Sequence, residues 1–306
     1  MLSIREAGSN DFEAIATFID PINEIAEKQS LHCSVGFDEI LSELKDFNSR
    51  KELLFLLMFE DTELIGVFGG DTDYPLTEIW LWGPFIRNDK DWKVHAILLY
   101  NHLIANYPTI KQSTAFNNIE NTQARTFYKE QQFSEKKEFT HEYQCLRESA
   151  SNYVSSGNTG KSVMVLVEPD ETGNGHWNKY KKAFHLLHNS AFPNPYYTTE
   201  EIQEYIKKVN IHKLWLLICE EKLVGYLFGS VTPSNTGYVH FLAVKKEERK
   251  KGYASQLLST SLQYFFEERV LEECCLTVSD ENNARRLYEK TGFKLRYTGV
   301  GARKKA

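Results

Sequence analysis

The chain has 306 residues, a length that favours two domains. Of these residues 42% are hydrophobic and 25% are charged, a composition typical of a globular protein. No apolar run approaches the roughly 18 residues of a membrane span, and the N-terminus lacks the long apolar core of a secretory signal. The five cysteines show no metal-ligand spacing and suit a reducing compartment. We therefore expect a cytoplasmic protein with no metal site and no membrane partner.

The net charge of −6 is unevenly distributed, because residues 1–160 are acidic in balance and residues 161–306 are basic. A basic half would meet an anionic ligand, although a solvated surface of different sign explains the charge equally well. The basic residues within 245–251 form one short cluster without a wider basic and aromatic surface. We therefore expect no nucleic-acid partner.

Both halves predict the same elements in the same order: a strand, two helices, a hairpin, a strand, a long helix and a strand. In the first half these elements are predicted at 2–7, 10–28, 37–47, 53–70, 78–85, 92–106 and 113–117. In the second half they are predicted at 163–169, 176–192, 199–209, 214–230, 238–244, 253–268 and 274–278.

Each half then closes on a related stretch, "ARTFYKEQQF" from Ala124 and "ARRLYEKTGF" from Ala284, with the Ala, Arg, Tyr and Phe positions identical. The repeat indicates a duplication of one α/β (α+β) domain, in which each copy has a mixed, mostly antiparallel sheet flanked by helices. We expect the domains at 1–147 and 163–306. The polar stretch 148–162 reads as the linker between them.

The most informative stretch is "VKKEERKKGYASQLL" at 244–258, which follows an apolar strand and opens an apolar helix. A helix N-terminus presents unpaired N–H groups and the positive end of the helix dipole. Gly252 would let an anion approach the backbone, and Ala254 would keep the first turn uncrowded. The stretch predicts a pyrophosphate cradle; the alternative is a basic helix start with a turn glycine.

The pattern V-x4-R-x-x-G-x-A in this stretch, together with "ENNARRLYEKTGF", resembles the two signatures of the GNAT superfamily of acyl-CoA N-acyltransferases. The resemblance covers about 163–300. It implies the GNAT fold and direct transfer of an acetyl group from acetyl-CoA to a primary amine, without a metal. The amine could belong to a small molecule or a peptide N-terminus.

The resemblance also implies roles for single residues. Tyr288 would protonate the departing CoA thiolate, or would instead be a packed aromatic residue. The family's Asn position is Glu281 here, so either Asn282 or Asn283 would contact the cofactor. The strand residues implied to pair with the pantetheine arm are Leu242, Ala243 and Val244. The residues implied to bind the pyrophosphate are Arg249, Lys250, Lys251, Gly252, Tyr253 and Ala254.

The amine must lose a proton, and His240 stands where the family often has a glutamate, so it is a candidate general base. The alternative is an ordinary histidine on a half-buried strand face. The loop residues Phe192, Tyr196 and Tyr197 would wall the acceptor site, or would form a rigid aromatic loop with no ligand.

The first half looks like a degenerate GNAT copy. It keeps Asn121 at the usual interval before Tyr128, but it has no glycine in the aligned stretch, where Asp91 and Trp92 stand in place of the cradle. Acidic charge at a phosphate site weakens anion binding. This copy would be structural, or would bind another ligand or complete the acceptor pocket. GNAT domains commonly pair through their sheets, which implies an internal pseudo-dimer that could exist as a monomer.

These features predict a tandem-domain N-acetyltransferase whose second domain is active. The alternative is a non-catalytic acyl-CoA-binding sensor or regulatory protein.

Overall fold

A computed structural model describes residues 1–73, 75–87, 90–152, 162–167, 176–207, 211–232, 234–280 and 284–305. The described residues divide into two compact units. The N-terminal unit comprises Met1–His141 with Tyr297–Ala306, and the C-terminal unit comprises Glu142–Arg296. Within the described residues, every helix is too short or too polar to cross a membrane.

The strands and helices alternate as the repeated pattern predicts. The strands are β1 (Leu2–Glu6), β2 (Leu53–Glu60), β3 (Glu63–Thr72), β4 (Glu78–Ile86), β5 (Gln112–Asn118), β6 (Ser134–Leu146), β7 (Ser162–Leu166), β8 (His212–Cys219), β9 (Lys222–Val231), β10 (Gly237–Val244), β11 (Glu273–Ser279) and β12 (Lys294–Lys305). The helices are α1 (Phe12–Asn23), α2 (Phe37–Ser49), α3 (Trp92–Asn106), α4 (Thr122–Glu130), α5 (His176–Ala191), α6 (Thr199–Lys207), α7 (Tyr253–Gln263) and α8 (Arg285–Lys290).

The strand order differs from a simple pair of consecutive domains. The strand order is β1-β2-β3-β4-β5-β12 in the N-terminal unit and β6-β11-β10-β9-β8-β7 in the C-terminal unit. The unit boundaries cut through both β6 and β12: residues 297–305 of β12 belong to the N-terminal unit, and residues 142–146 of β6 to the C-terminal unit. The last strand of the chain, β12, pairs antiparallel with β5, from Gly299 opposite Asn118 to Lys305 opposite Gln112. Each copy of the repeat therefore contributes part of its final strand to the unit built by the other copy.

This exchange changes the expected domain boundaries of 1–147 and 163–306. Residues 142–147 belong to the C-terminal unit, and residues 297–306 belong to the N-terminal unit. Periodicity identifies a strand but carries no information about which sheet edge it joins, since pairing depends on tertiary packing. The expected linker at 148–162 begins in a single 3-10 helix, Arg147–Asn152, and its residues 153–161 lie outside the described part of the chain.

Apolar side chains cover both faces of each sheet. In the C-terminal unit, α7 and α8 pack on one face through Leu257, Leu258 and Tyr288, and α5 and α6 pack on the other. In the N-terminal unit, α3 and α4 occupy one face, and α1 and α2 the other. Both units therefore have the three-layer arrangement that the repeat predicts.

Candidate active site

The candidate site lies along β10 in the C-terminal unit. This strand pairs antiparallel with β9 from Gly237 to Val244, but its parallel register with β11 covers only Gly237–Val239. The two parallel strands therefore part after Val239. Residues Leu242, Ala243 and Val244 lie on the separated part of β10, where an extended ligand could pair with the open strand edge.

The helix that follows β10 begins at Gly252. This glycine has φ +84, and no side chain caps the helix. The first bond of the helix runs from the Gln256 N–H to the Gly252 carbonyl at 3.0 Å. The three preceding N–H groups, those of Tyr253, Ala254 and Ser255, therefore have no acceptor within the helix.

A cavity of about 220 Å³ opens at this helix end. A Cβ atom built on Gly252 would meet no atom within 4 Å, so the space beside the glycine is open. The cavity wall contains every predicted pyrophosphate-binding residue except Lys251, together with Leu287 of α8. A phosphate group could bind here, because it would accept hydrogen bonds from the unpaired backbone N–H groups and interact favourably with the helix dipole. The glycine leaves room for it to approach the backbone.

The basic side chains at the cradle are not equivalent. Lys251 forms an ion pair with Glu248 at 2.7 Å, which offsets its charge. The Arg249 Nε donates to the carbonyl oxygen of Val244 at 3.3 Å and so joins the strand end to the cradle. Tyr253 turns inward, because its hydroxyl donates to the Cys219 sulfur at 3.4 Å and its side chain is buried. Its contribution to the cradle is its backbone N–H.

Tyr288 lies on α8 with its side chain packed in the core of the C-terminal unit. Its ring faces Tyr143 at 6.0 Å and Phe293 at 6.1 Å. Burial, followed by the influence of Tyr143, raises the pKa of Tyr288 to about 12, so its hydroxyl stays protonated at neutral pH. Among the described residues, no group forms a hydrogen bond with that hydroxyl.

The corresponding residue of the N-terminal unit, Tyr128, is differently engaged. Its hydroxyl donates a buried hydrogen bond of 2.7 Å to the Gly83 carbonyl oxygen. Gly83 lies in β4, at the irregularity where β4 and β3 change register. The hydroxyl of the tyrosine that the two copies share is thus bonded to backbone in one unit, and in the other no described group bonds it.

His240 occupies a β-bulge in β10, between Val239 and Phe241. Its Nε2 lies 2.7 Å from the Ser230 hydroxyl, and its Nδ1 lies 3.2 Å from the Tyr196 hydroxyl. Burial, followed by the nearby His212, lowers the pKa of His240 to about 3. The imidazole is therefore neutral at physiological pH, and both of its nitrogens have protein partners.

The three predicted wall residues gather around β10 beside this histidine. Tyr196 stacks on Phe241 with ring centroids 4.7 Å apart, and Phe192 contacts the same ring at 4.8 Å. Tyr197 meets His240 edge-on at 5.4 Å. Tyr196 is nevertheless 60% exposed, so it offers a ring face to solvent beside His240.

The structure thus brings the predicted residues into two groups, one around the Gly252 turn after β10 and one around His240 in β10. Tyr288 lies in neither group and packs in the core of the C-terminal unit. Asn282 and Asn283 lie outside the described residues. Sequence reasoning missed Ser230 and Tyr143. Tyr143 gave no signal, because it lies near the end of β6, after the first copy in the chain, but belongs to the C-terminal unit. In the described part of the chain, no three His, Cys, Asp or Glu side chains are placed to hold a metal ion.

Comparison with known proteins places the candidate site within a region that matches a family model. The family model described as the acetyltransferase (GNAT) family matches residues 181–293. That range runs from α5 to Phe293 and contains β10, the Gly252 turn and Tyr288. No curated protein matches the chain.

Solved structures resemble the whole chain. A GCN5-related N-acetyltransferase from Sphaerobacter thermophilus is 15% identical, with a TM-score of 0.73 over 99% of this chain and 95% of that chain. A tandem GNAT protein from the clavulanic acid biosynthesis pathway is 11% identical, with a TM-score of 0.66 over 100% and 98% of the two chains. A GNAT-family acetyltransferase from Colwellia psychrerythraea is 10% identical, with a TM-score of 0.57 over 100% of both chains. The expected two-domain fold is confirmed along the full length.

Proposed function

Since the C-terminal unit contains a GNAT acetyltransferase domain and the chain has a tandem GNAT fold, we propose that this protein transfers an acetyl group from acetyl-CoA to a primary amine. The C-terminal unit carries out the reaction. The observation that carries the proposal is the uncapped helix end at Gly252, which lies directly after the open edge of β10. The acceptor is a small-molecule amine or a peptide N-terminus, in the cytoplasm.

The C-terminal unit has residues to bind both the pyrophosphate and the pantetheine arm of acetyl-CoA. Backbone N–H groups at the start of α7, with Arg249 and Lys250, hold the pyrophosphate. The backbone of Leu242–Val244 hydrogen-bonds to the pantetheine arm, as an added strand would. This arrangement directs the thioester toward the place where β10 and β11 separate.

The reaction is a direct transfer without a covalent enzyme intermediate, so catalysis depends mainly on positioning the amine against the thioester. The amine nitrogen attacks the acetyl carbonyl carbon, the C–N bond forms, and the C–S bond breaks with its electron pair going to sulfur. The nitrogen loses one proton, and the thiolate gains one. Holding amine and thioester in reacting geometry converts a bimolecular encounter into a step within one complex, which supplies much of the rate enhancement.

Tyr288 acts on the leaving group. Its hydroxyl is protonated at working pH, because its pKa is raised to about 12, and no described protein group uses its proton. It donates a hydrogen bond to the sulfur as negative charge develops there and supplies the proton that completes the thiol. Tyr128 cannot serve in this way while its hydroxyl is bonded to Gly83.

His240 acts on the acceptor amine. Its low pKa keeps the imidazole neutral, which is the form that accepts a proton, but a base with a pKa of about 3 holds that proton weakly. The proton therefore passes on to water. An amine reaches Nδ1 when the Tyr196 hydroxyl gives up its 3.2 Å contact, while Ser230 keeps the ring oriented through Nε2.

A screen of amines with acetyl-CoA, with release of free thiol as the readout, tests the proposal. The expected result is thiol release that depends on one class of primary amine. A protein that binds acetyl-CoA but releases no thiol with any amine would instead be an acyl-CoA sensor. The Tyr288→Phe variant distinguishes the two: binding persists in both cases, but only an enzyme loses turnover.

A further inference from the structure

The N-terminal unit contains a cleft of about 510 Å³ that the proposed reaction does not use. It lies between α4 on one side and the strands β5 and β12 on the other. Its floor is apolar, formed by Phe133, Val300 and Ala302. This volume falls in the range of small-molecule sites, about 300–1,000 Å³.

A stripe of polar side chains on α4 forms one wall of the cleft. The residues of this stripe are Thr122, Arg125, Thr126 and Lys129. They recur at the spacing of one helix face. The opposite face of the helix carries Phe127 and Tyr128, which pack in the core.

The charges in the cleft do not cancel. Arg125 is occupied, because its guanidinium pairs with Glu135 at 2.8 Å and donates to the Ile119 carbonyl oxygen at 2.8 Å. Lys129 has no carboxylate within ion-pair distance among the described residues. The cleft therefore has one positive charge in excess, on a side chain that is free to meet an anion.

A buried acceptor in the same cleft lacks a donor. Asn117 is 1% exposed and lines the cleft, and its side-chain oxygen has no hydrogen-bond partner. A buried carbonyl oxygen without a donor is destabilising and is rare in folded proteins. A ligand that carries an N–H or O–H group would satisfy it.

We propose that this cleft binds a small organic carboxylate that also carries an N–H or O–H donor and an apolar body. The carboxylate pairs with Lys129 and accepts hydrogen bonds from the threonine hydroxyls of α4. The donor meets the Asn117 oxygen, and the apolar body covers Phe133 and Val300. The N-terminal unit is then a binding module for a ligand other than the proposed acetyl donor.

The test uses the full-length protein and three probes: N-acetyl-L-leucine, 2-hydroxy-4-methylpentanoate and N-acetylglycine. Calorimetry and ligand-observed NMR measure their binding. We expect at least one probe to bind, and its uncharged carboxamide analogue to bind about tenfold more weakly or worse. If none of the three binds at concentrations up to about 10 mM, the cleft holds only water and the proposal is wrong.

Variants locate the bound probe. Lys129→Gln should weaken binding about tenfold or more, whereas Lys45→Gln, a lysine of the same unit on α2, should leave it unchanged. Thr126→Trp fills the cleft from an exposed helix position and should abolish binding without disturbing the core. Equal affinity in the Lys129 and Thr126 variants would place the probe elsewhere and overturn the assignment.

Discussion

The Tyr128 hydroxyl donates a buried 2.7 Å hydrogen bond to the Gly83 carbonyl oxygen, a bond that has no counterpart at Tyr288 among the described residues. The two tyrosines occupy equivalent places in the repeated stretch. Protein backbone therefore occupies one hydroxyl, and no described protein group occupies the other. This difference separates the two copies more clearly than their sequences do.

Substituting the two tyrosines by phenylalanine should have opposite effects. Tyr128→Phe leaves the buried Gly83 oxygen unpaired and should reduce the free energy of unfolding by about 1–3 kcal/mol, with little change in kcat. Tyr288→Phe removes no protein hydrogen bond and should leave stability nearly unchanged while lowering kcat by about 10²-fold or more. Denaturant unfolding and thiol-release kinetics on both variants measure the two effects. A loss of kcat confined to Tyr128→Phe would reverse the assignment.

The pH dependence of activity should carry no inflection from His240 near pH 6.5. Burial lowers the pKa of this histidine to about 3, so it is already neutral at pH 5 and above. His240→Ala should lower kcat/KM by about 10²-fold at every pH between 6 and 9. His185→Ala, at a more exposed histidine of α5, is the control. Wild-type kcat/KM for His240→Ala across that range would exclude the proposed role.

Acid should destabilise the fold through its buried histidines. The pKa of His32 is lowered to about 4 and that of His240 to about 3, in both cases mainly by burial. At these two positions the unfolded chain, with histidine pKa values near 6.5, therefore binds more protons than the folded chain between about pH 4 and 6.5. Stability should fall as the pH drops through that window, by about 1–2 kcal/mol per histidine between pH 7 and 5.

Urea unfolding of the wild type and of His32→Gln at pH 7 and pH 5 checks this linkage. The variant should lose less stability on acidification than the wild type, because it lacks one of the buried histidines whose pKa is lowered. Equal losses in the two proteins would show that His32 is protonated alike in the folded and unfolded states.

The exchanged strand β12 gives a prediction about where a mutation acts. A methyl group on Gly299 would overlap the ring of Phe116 in β5. Gly299→Ala should therefore destabilise the N-terminal unit by about 1–3 kcal/mol, although the residue follows the second copy in sequence. Gly301→Ala, on the same strand, meets only the flexible end of Lys136 and should be tolerated. Hydrogen exchange should rise in β5 for the first variant and not for the second.

Much of this fold follows from the sequence, because apolar periodicity and the repeat locate the helices and the inner strands. Helix α3 covers the predicted range 92–106 without change. The strands β6 and β12 were not predicted from the sequence. β6 begins with exposed, charged residues that lack apolar alternation, and β12 contains two glycines. Their exchange between units is a tertiary pairing that local patterning does not encode.

In the candidate site, too, some features could be predicted from the sequence and others could not. The glycine turn and Tyr288 belong to short motifs whose chemistry depends on the backbone and on spacing, so the sequence identifies them. The environment of His240 could not be predicted, because its low pKa arises from burial and from His212, and its hydrogen-bond partners Ser230 and Tyr196 lie on other elements. Likewise, the sequence shows that Tyr128 is retained but not that Gly83 occupies its hydroxyl.

The most direct test of the central claim is a calorimetric titration of the full-length protein with acetyl-CoA. We compare the wild type, Gly252→Ala and Gly252→Glu. Both variants share the strain of a side chain at φ +84, about 1–2 kcal/mol, but only glutamate brings negative charge to the helix end. We predict one binding site per chain in the wild type, weaker binding in Gly252→Ala and no binding in Gly252→Glu. Undiminished binding in Gly252→Glu, or two equivalent sites in the wild type, would contradict the assignment of acetyl-CoA to the C-terminal unit alone.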